Sequence, residues 1–396
     1  MQYHYSDKVQ AMRPSIIREL LKQTADPSLI SFAGGNPAAE AFPAKEIREI
    51  SDKLLSGQPA ATLQYSITEG YPPLIEAGKA YLSGQWDIMK PDDALIITSG
   101  SQQVMDFMAK LLCNEGDVVA TEDPAFLGAL NAFRSHGAQL VGVEMEADGV
   151  NLAALGAVLS ATPKPRFFYT IPNFQNPTGV TTSLEKRKAI YQLCTAHGVP
   201  ILEDNPYGEL RFAGEEVPPI KAFDTEGAVV YAASMSKIFA PGLRVAFCAG
   251  PKELLGKMTV AKQGNDVHTN LWSQRVIDCF FRSYNIDDHI TRLRGVYREK
   301  ARRMMDDIDR MLGDRVRYIP AEGGMFVWVT LPNGVDMQDF VKRCLARRLA
   351  LVPGNAFLVD ESAPCQSVRA NFSSPSLEAI DEGVGIMAAV LGEMQA

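Results

Sequence analysis

Lys237 closes the turn Ser234-Met235-Ser236-Lys237, with Gly242-Leu243-Arg244 just beyond. Two hydroxyls and an arginine around one lysine, at the end of the apolar run Val229 to Ala233, could cradle a phosphate beside an amine able to form a Schiff base. A lone lysine is otherwise a surface residue, so the neighbouring turns matter. Glu203 and Asp204 end a second apolar run, ahead of Asn205-Pro206-Tyr207. Carboxylates there are costly unless they face a cation or leave the core; both a charge partner and an exposed turn remain open. The segment Asn173-Phe174-Gln175-Asn176-Pro177-Thr178-Gly179 sets side-chain amides beside a proline and a glycine that fix a turn, although Asn before Pro is also plain turn chemistry. Thr98-Ser99-Gly100-Ser101-Gln102 opens a helix, offering either an anion site or a simple N-cap.

These turns need a common scaffold. From residue 94 to 250, short apolar runs alternate with helix-length segments, which is the pattern of β/α units around a mostly parallel sheet. The expected strands are Ala94 to Thr98, Val118 to Thr121, Gln139 to Val143, Phe167 to Thr170, Pro200 to Glu203, Val229 to Ala233 and Val245 to Ala249. Val104, Phe107, Met108, Leu111 and Leu112 recur at helical spacing after Ser101, and Thr182 with Glu185 forms a capping-box pattern. Ligands of such a sheet bind beyond the carboxyl ends of its strands, where all four turns fall.

After residue 250 long helical stretches follow, Thr259 to Phe281 and Asp288 to Leu312. Strands at Arg315 to Ile319, Phe326 to Leu331 and Val368 to Phe372 and helices at Met337 to Arg348 and Leu377 to Met394 complete an α+β layer. The N-terminal arm carries one short helix, Ser15 to Leu21. The fold class is therefore α/β. A large cofactor-binding domain (43–282) with a mostly parallel sheet flanked by helices is expected beside a smaller α+β domain built from the N-terminal arm (1–42) and the C-terminal part (283–396).

The chain has 396 residues and a formal net charge of −8. Phosphate-backbone binding needs a dense basic surface, so a nucleic-acid partner is disfavoured. The densest basic stretch, Arg298 to Arg303, is flanked by Asp306, Asp307 and Asp309 and reads as a mixed-charge helix face. Six cysteines lie far apart without a C-x-x-C pair, which suits reduced thiols and gives no metal cluster. No apolar run approaches the roughly 20 residues of a membrane helix and Met1 to Gln10 lacks a signal core, so a cytoplasmic protein is expected. Neither the Walker spacing nor a G-x-G-x-x-G after a strand occurs.

Taken in order, the turns resemble the class I/II pyridoxal phosphate-dependent aminotransferases of fold type I, most nearly their 2-aminoadipate and kynurenine branch. The resemblance covers nearly the whole chain. It includes Ser31-Phe32-Ala33-Gly34-Gly35, Gln64-Tyr65 with Glu69-Gly70-Tyr71, Pro172 to Gly179, Glu203 to Tyr207, Ser236-Lys237 with Arg244, Glu322 to Phe326, and Arg369.

The resemblance implies a ping-pong transfer of an amino group from an L-amino acid to a 2-oxo acid, with pyridoxal 5′-phosphate as cofactor. Lys237 would hold that cofactor and shuttle the proton, Asp204 would pair with its ring nitrogen, and Tyr207 and Asn176 would bind its phenolate oxygen. Ser101, Gln102, Ser234, Ser236 and Arg244 would grip the phosphate, joined by Tyr65 of a partner subunit in a homodimer with shared sites. Arg369 would fork onto the substrate α-carboxylate, helped by Gly35 and Asn176, while Arg18 and Asn36 would bear on side-chain choice. Phe126 stands where relatives commonly stack a tyrosine on the ring, and Asn36 stands where a bulky apolar residue is frequent. A β-lyase or decarboxylase would need the same lysine and aspartate. A cofactor-sensing transcriptional regulator would need a DNA-binding domain, for which about 40 residues before the first motif are too few.

Overall fold

Runs of β-branched and aromatic residues buried on both faces become the strands of a central sheet. A computed structural model describes residues 1, 3–6 and 28–395, so the expected helix Ser15 to Leu21 lies outside the described residues. The first strand is β1 (Ile30–Ser31). The central sheet then takes β2 (Asp93–Thr98), β3 (Val118–Asp123), β4 (Gln139–Glu146), β5 (Gly149–Val150), β6 (Phe168–Thr170), β7 (Ile201–Asn205), β8 (Val229–Ser234) and β9 (Ala246–Pro251). Its order is β2-β9-β8-β7-β6-β3-β4-β5. Strands β2, β3, β4, β6, β7 and β8 run one way, and β9 and β5 run the other.

Strand direction decides where polar turns collect. Those after β2, β3, β6, β7 and β8 all leave at one edge of the sheet. Because β9 is reversed, Arg244 just before it reaches the same edge.

Helix Ser101–Leu112 packs on the sheet through Val104, Met105, Phe107, Met108 and Ala109. Helices Leu152–Ser160 and Leu184–Ala196 close a separate apolar cluster around Leu155, Ile190 and Ile201. A second, antiparallel sheet joins β10 (Phe326–Thr330) and β12 (Val352–Pro353) to the central β13 (Ser367–Asn371), setting Trp328 opposite Arg369. The segment at Ile30–Ser31 is tied to this part, because β1 pairs in parallel with β11 (Leu349–Ala350). Helix Ile286–Met311 packs on Leu377–Gln395, and its basic stretch is paired through Lys300 with Glu40, Arg302 with Asp306 and Arg303 with Asp381.

Four local expectations are corrected. The stretch Thr259 to Phe281 is two helices, Lys252–Gln263 and Leu271–Ser283, because Gly264 ends the first and the Asn270 side chain caps the second by accepting from Ser273 N at 2.9 Å. Arg315 to Ile319 is no strand: only Arg317 finds a ladder partner, Thr330. The cap of Leu184–Ala196 is Ser183 rather than Thr182, accepting from Lys186 N at 3.4 Å. Glu203 and Asp204 do not form an exposed turn, since both are fully buried.

Candidate active site

The shared sheet edge and the second sheet enclose a cavity of about 230 Å³. Lys237 stands just past β8, and its Nζ donates to the Gly35 carbonyl at 2.7 Å. Burial pushes its ammonium down to about 8, with the positive charges of Arg244 and Arg369 adding to the push. A lysine so placed supplies far more neutral amine near physiological pH than an ordinary lysine does.

Asp204 enters from β7. Its Oδ2 accepts from the Tyr169 hydroxyl at 3.1 Å, while Oδ1 is buried without a hydrogen-bond partner. Burial raises the carboxyl to about 7, with Tyr169, the Ser101 hydroxyl and Lys237 pulling the other way. A buried acceptor left open costs about 1–3 kcal/mol, more when charged, so this oxygen is configured for a donor.

Arg369 projects from β13 and is 2% exposed. Its Nη1 donates to Asn176 Oδ1 at 2.8 Å and its Nη2 to the Ala33 carbonyl at 2.7 Å, and Nε has no partner. The guanidinium lies 4.2 Å from the ring centre of Phe326 and 4.8 Å from that of Phe357. Burial lowers it to about 10, and no carboxylate is paired with it among the described residues. Asn176 Nδ2 donates weakly to the Tyr207 hydroxyl at 3.5 Å, which links the amide turn to the turn after β7.

The opposite end of the cavity is an anion cradle. Helix Ser101–Leu112 has no side-chain cap, so the simple N-cap reading does not hold and its first N–H groups are available to a ligand. Gly100 has φ +80°, and a Cβ there would collide with the Arg244 guanidinium. Arg244 donates to the Ser99 carbonyl at 3.2 Å and to Ser236 Oγ at 3.4 Å, and Ser236 N donates to Ser234 Oγ at 3.2 Å.

The cavity brings together Gly35, Ser101, Gln102, Phe126, Asn176, Asp204, Tyr207, Ser234, Ser236, Lys237, Arg244 and Arg369. Asn36 is exposed and outside the lining; its backbone carbonyl accepts from Ser373 Oγ at 2.7 Å. Tyr65 is also outside, 80% exposed, with its ring edge-on to His268 at 5.8 Å. Arg18 lies outside the described residues. Ile171, Pro206 and Phe326 also line the cavity, and Tyr169 supports it from behind. Ile171 and Tyr169 sit inside core-like runs, so nothing in the sequence separated them from ordinary packing residues, whereas Pro206 and Phe326 fall within segments that carried the resemblance.

A model of the family described as aminotransferase class I and II matches residues 27–386. The chain belongs to the class I and II aminotransferases. It is 39% identical, over 94% of this chain and 92% of that protein, to the 2-aminoadipate transaminase of Thermus thermophilus. It is 37% identical to aromatic-amino-acid aminotransferase 1 of Thermococcus litoralis, over 98% of this chain and 94% of that protein. Among solved structures, the α-aminoadipate aminotransferase of Thermus thermophilus, complexed with N-(5′-phosphopyridoxyl)-L-leucine, superposes with a TM-score of 0.90 at 37% identity, covering 99% of this chain and 98% of that one.

This aminotransferase therefore uses pyridoxal 5′-phosphate. The residues present fit that group. An open carboxylate oxygen suits a protonated ring nitrogen, an amine lies within the same cavity, and an uncapped helix start with two serines and an arginine suits a phosphate. No group of three or more metal-ligating side chains occurs among the described residues, and no described helix is long and apolar enough to cross a membrane.

Proposed function

We propose that Lys237 is the attachment point of the cofactor and the group that moves the proton at the substrate Cα. The observation that carries this is the set of groups around one cavity: an amine held only by a backbone carbonyl and lowered to about 8, beside a carboxylate oxygen and a guanidinium N–H that both lack the partner burial normally demands. Bound there, pyridoxal phosphate supplies an electron sink for the bond broken at Cα. Asp204 holds a negative charge against the ring nitrogen, Asn176 and Tyr207 orient the phenolate oxygen, and Phe126 covers the ring. Ser101, Gln102, Ser234, Ser236 and Arg244 fix the phosphate.

Arg369, backed by Asn176 and steadied between two aromatic faces, reads the α-carboxylate, and Gly35 offers its backbone to the same group. The site sits between the larger part, residues 43–282, and the remainder of the chain. The donors are L-amino acids with acidic side chains, such as 2-aminoadipate or glutamate, together with aromatic or aliphatic ones, and the acceptor is 2-oxoglutarate. The substrates named for relatives support this breadth, and Arg18 and Asn36 are assigned to side-chain choice. Tyr65 serves the partner's phosphate in a homodimer; its exposure beside exposed Leu63, Ile67 and Val267 supports an interface there. Six unpaired cysteines suit a reducing cytoplasm.

A panel of donors with 2-oxoglutarate tests the reading. Each accepted donor should yield its own 2-oxo acid in step with glutamate. Ammonia or carbon dioxide released in place of that oxo acid would instead establish a lyase or decarboxylase. Arg18→Ala should raise KM for acidic donors about tenfold or more and spare apolar ones.

A further inference from the structure

Tyr169 lies on β6 in the run Phe167-Phe168-Tyr169 and is fully buried. Two phenylalanines precede it, Phe168 on the same strand and Phe167 just before it, and only the hydroxyl distinguishes it from them. Its ring is held edge-on by Phe133, with centres 5.5 Å apart, and Phe133 in turn meets Phe167 at 5.1 Å. That packing fixes where the hydroxyl points. The oxygen it meets is Asp204 Oδ2, on the neighbouring strand.

A carboxylate held by one bond has a defined plane; one held by none turns about Cβ–Cγ. With Oδ2 taken, Oδ1 is the oxygen left for the cavity. The other buried acid nearby does not compete for the hydroxyl, because Glu122 is served by Thr170 Oγ1, by Ile171 N at 3.2 Å and by Gln175 Nε2 at 3.0 Å. Burial beside Asp204 and Glu122 keeps the Tyr169 phenol protonated, so it remains a donor throughout the working pH range.

We infer that the Tyr169 hydroxyl is a positioning group for the reaction: it fixes the rotation of the Asp204 carboxylate and favours its ionised form, so that the free oxygen is presented to the cofactor ring. This rests on the role proposed above for Asp204. The groups that face the carboxylate are Tyr169, Ser101 and Lys237, with Glu122 behind; of these Tyr169 donates to Oδ2 at 3.1 Å.

The experiment compares the wild-type holoenzyme with Tyr169→Phe, Asp204→Asn and the double variant. It reads the cofactor dissociation constant by fluorescence, the acid limb of the kcat/KM profile, and the melting of cofactor-free protein. Tyr169→Phe should weaken cofactor binding about tenfold or more, the effect of losing one hydrogen bond to a charged group. It should also move the acid limb to higher pH, because a carboxylate that loses a donor is protonated more easily. In the Asp204→Asn background the same change should add little. Monofluorotyrosine at position 169, a stronger donor of nearly the same shape, should move the limb to lower pH even if the phenylalanine variant folds poorly.

Unchanged cofactor affinity and an unmoved acid limb, with altered melting alone, would show a purely structural hydroxyl. If Asp204→Asn itself kept wild-type affinity and rate, the assignment of Asp204 would fail. Collapse of that variant beside a wild-type Tyr169→Phe would overturn the present inference alone.

Discussion

Glu203 and Asp204 are consecutive on one strand, so they point to opposite faces of the sheet. Burial pushes both up to about 7. On its side Glu203 accepts from Ile220 N at 2.9 Å and Lys221 N at 2.7 Å, whereas Asp204 keeps one oxygen open toward the cavity. The arginines repeat the contrast. Arg187 and Arg369 are both lowered to about 10 by burial, but Arg187 donates to the carbonyls of Thr182, Val217, Pro218 and Pro172 and to Asn173 Oδ1, while Arg369 leaves Nε free. The lysines repeat it again: Lys221 is clasped by Asp93 and Asp224 at 2.9 and 2.8 Å, and Lys237 has only a backbone carbonyl.

The two regions use the same residue types at the same depth, and burial shifts the paired acids alike and the paired arginines alike. Saturation separates them. The cluster beyond Glu203 closes every charge and holds the fold, whereas the cavity leaves charges open and holds a ligand. Open atoms also occur at Tyr81, Thr121, Arg211 and Asp307, but none of these lines the cavity that holds Lys237.

The sharpest way to break this contrast is to exchange the roles of the two lysines. Lys237→Ala should abolish turnover, and borohydride reduction of the wild-type holoenzyme should fix the cofactor's mass on the peptide containing Lys237. Label on any other lysine would end the assignment. Next in size is Asp204→Asn, which should slow the half-reaction by orders of magnitude even when saturated with cofactor, as measured by stopped-flow absorbance.

On the saturated side the losses should appear in stability. Lys221→Met strands Asp93 and Asp224 as buried unpaired acids, so unfolding in urea should show a loss of about 3–5 kcal/mol, with kcat of the folded enzyme unchanged. Glu203→Gln removes a charge but keeps an acceptor. It should cost about 1–3 kcal/mol and leave the rate alone. A rate defect in either variant would erase the distinction between the two regions.

Every central strand except β5, and the turns after β2, β6, β7 and β8, were legible in the sequence because each signal is local: an apolar run, then a polar turn at its end; Gly35, Phe126 and Arg369 were implied only by the family resemblance. It could not see saturation. Arg187 sits in Leu184-Glu185-Lys186-Arg187-Lys188, which looks like a solvated helix face, and its five acceptors come from three separate segments. Tyr169 looks like core because its partner is 35 residues away on another strand. The aromatic clamp on Arg369 draws Phe326 and Phe357 from either side in sequence, and only the second sheet brings them together. Arg315 to Ile319 failed for a related reason: an alternating run becomes a strand only where a neighbouring edge accepts it.

The smallest expected effect concerns how the empty site meets its cofactor. An unperturbed lysine titrates near 10.4, and Lys237 is held at about 8 by burial and by Arg244 and Arg369. The neutral amine is the nucleophile, so capture of pyridoxal phosphate by cofactor-free protein should quicken as pH rises toward 8 and level off above it. Asp204, held at about 7, acts in the same direction, since ionisation as pH rises supplies the charge that receives a protonated ring nitrogen. Replacing Arg369 with methionine removes one of the two positive charges that depress Lys237. The midpoint of capture should therefore move upward by a fraction of a pH unit, in the same sense as the shift expected from adding a carboxylate. Stopped-flow absorbance across pH 6 to 10 reads both curves. A rate still climbing steeply above pH 9 in the wild type would mean that Lys237 is not depressed, and that the cavity does not prepare its amine before the cofactor arrives.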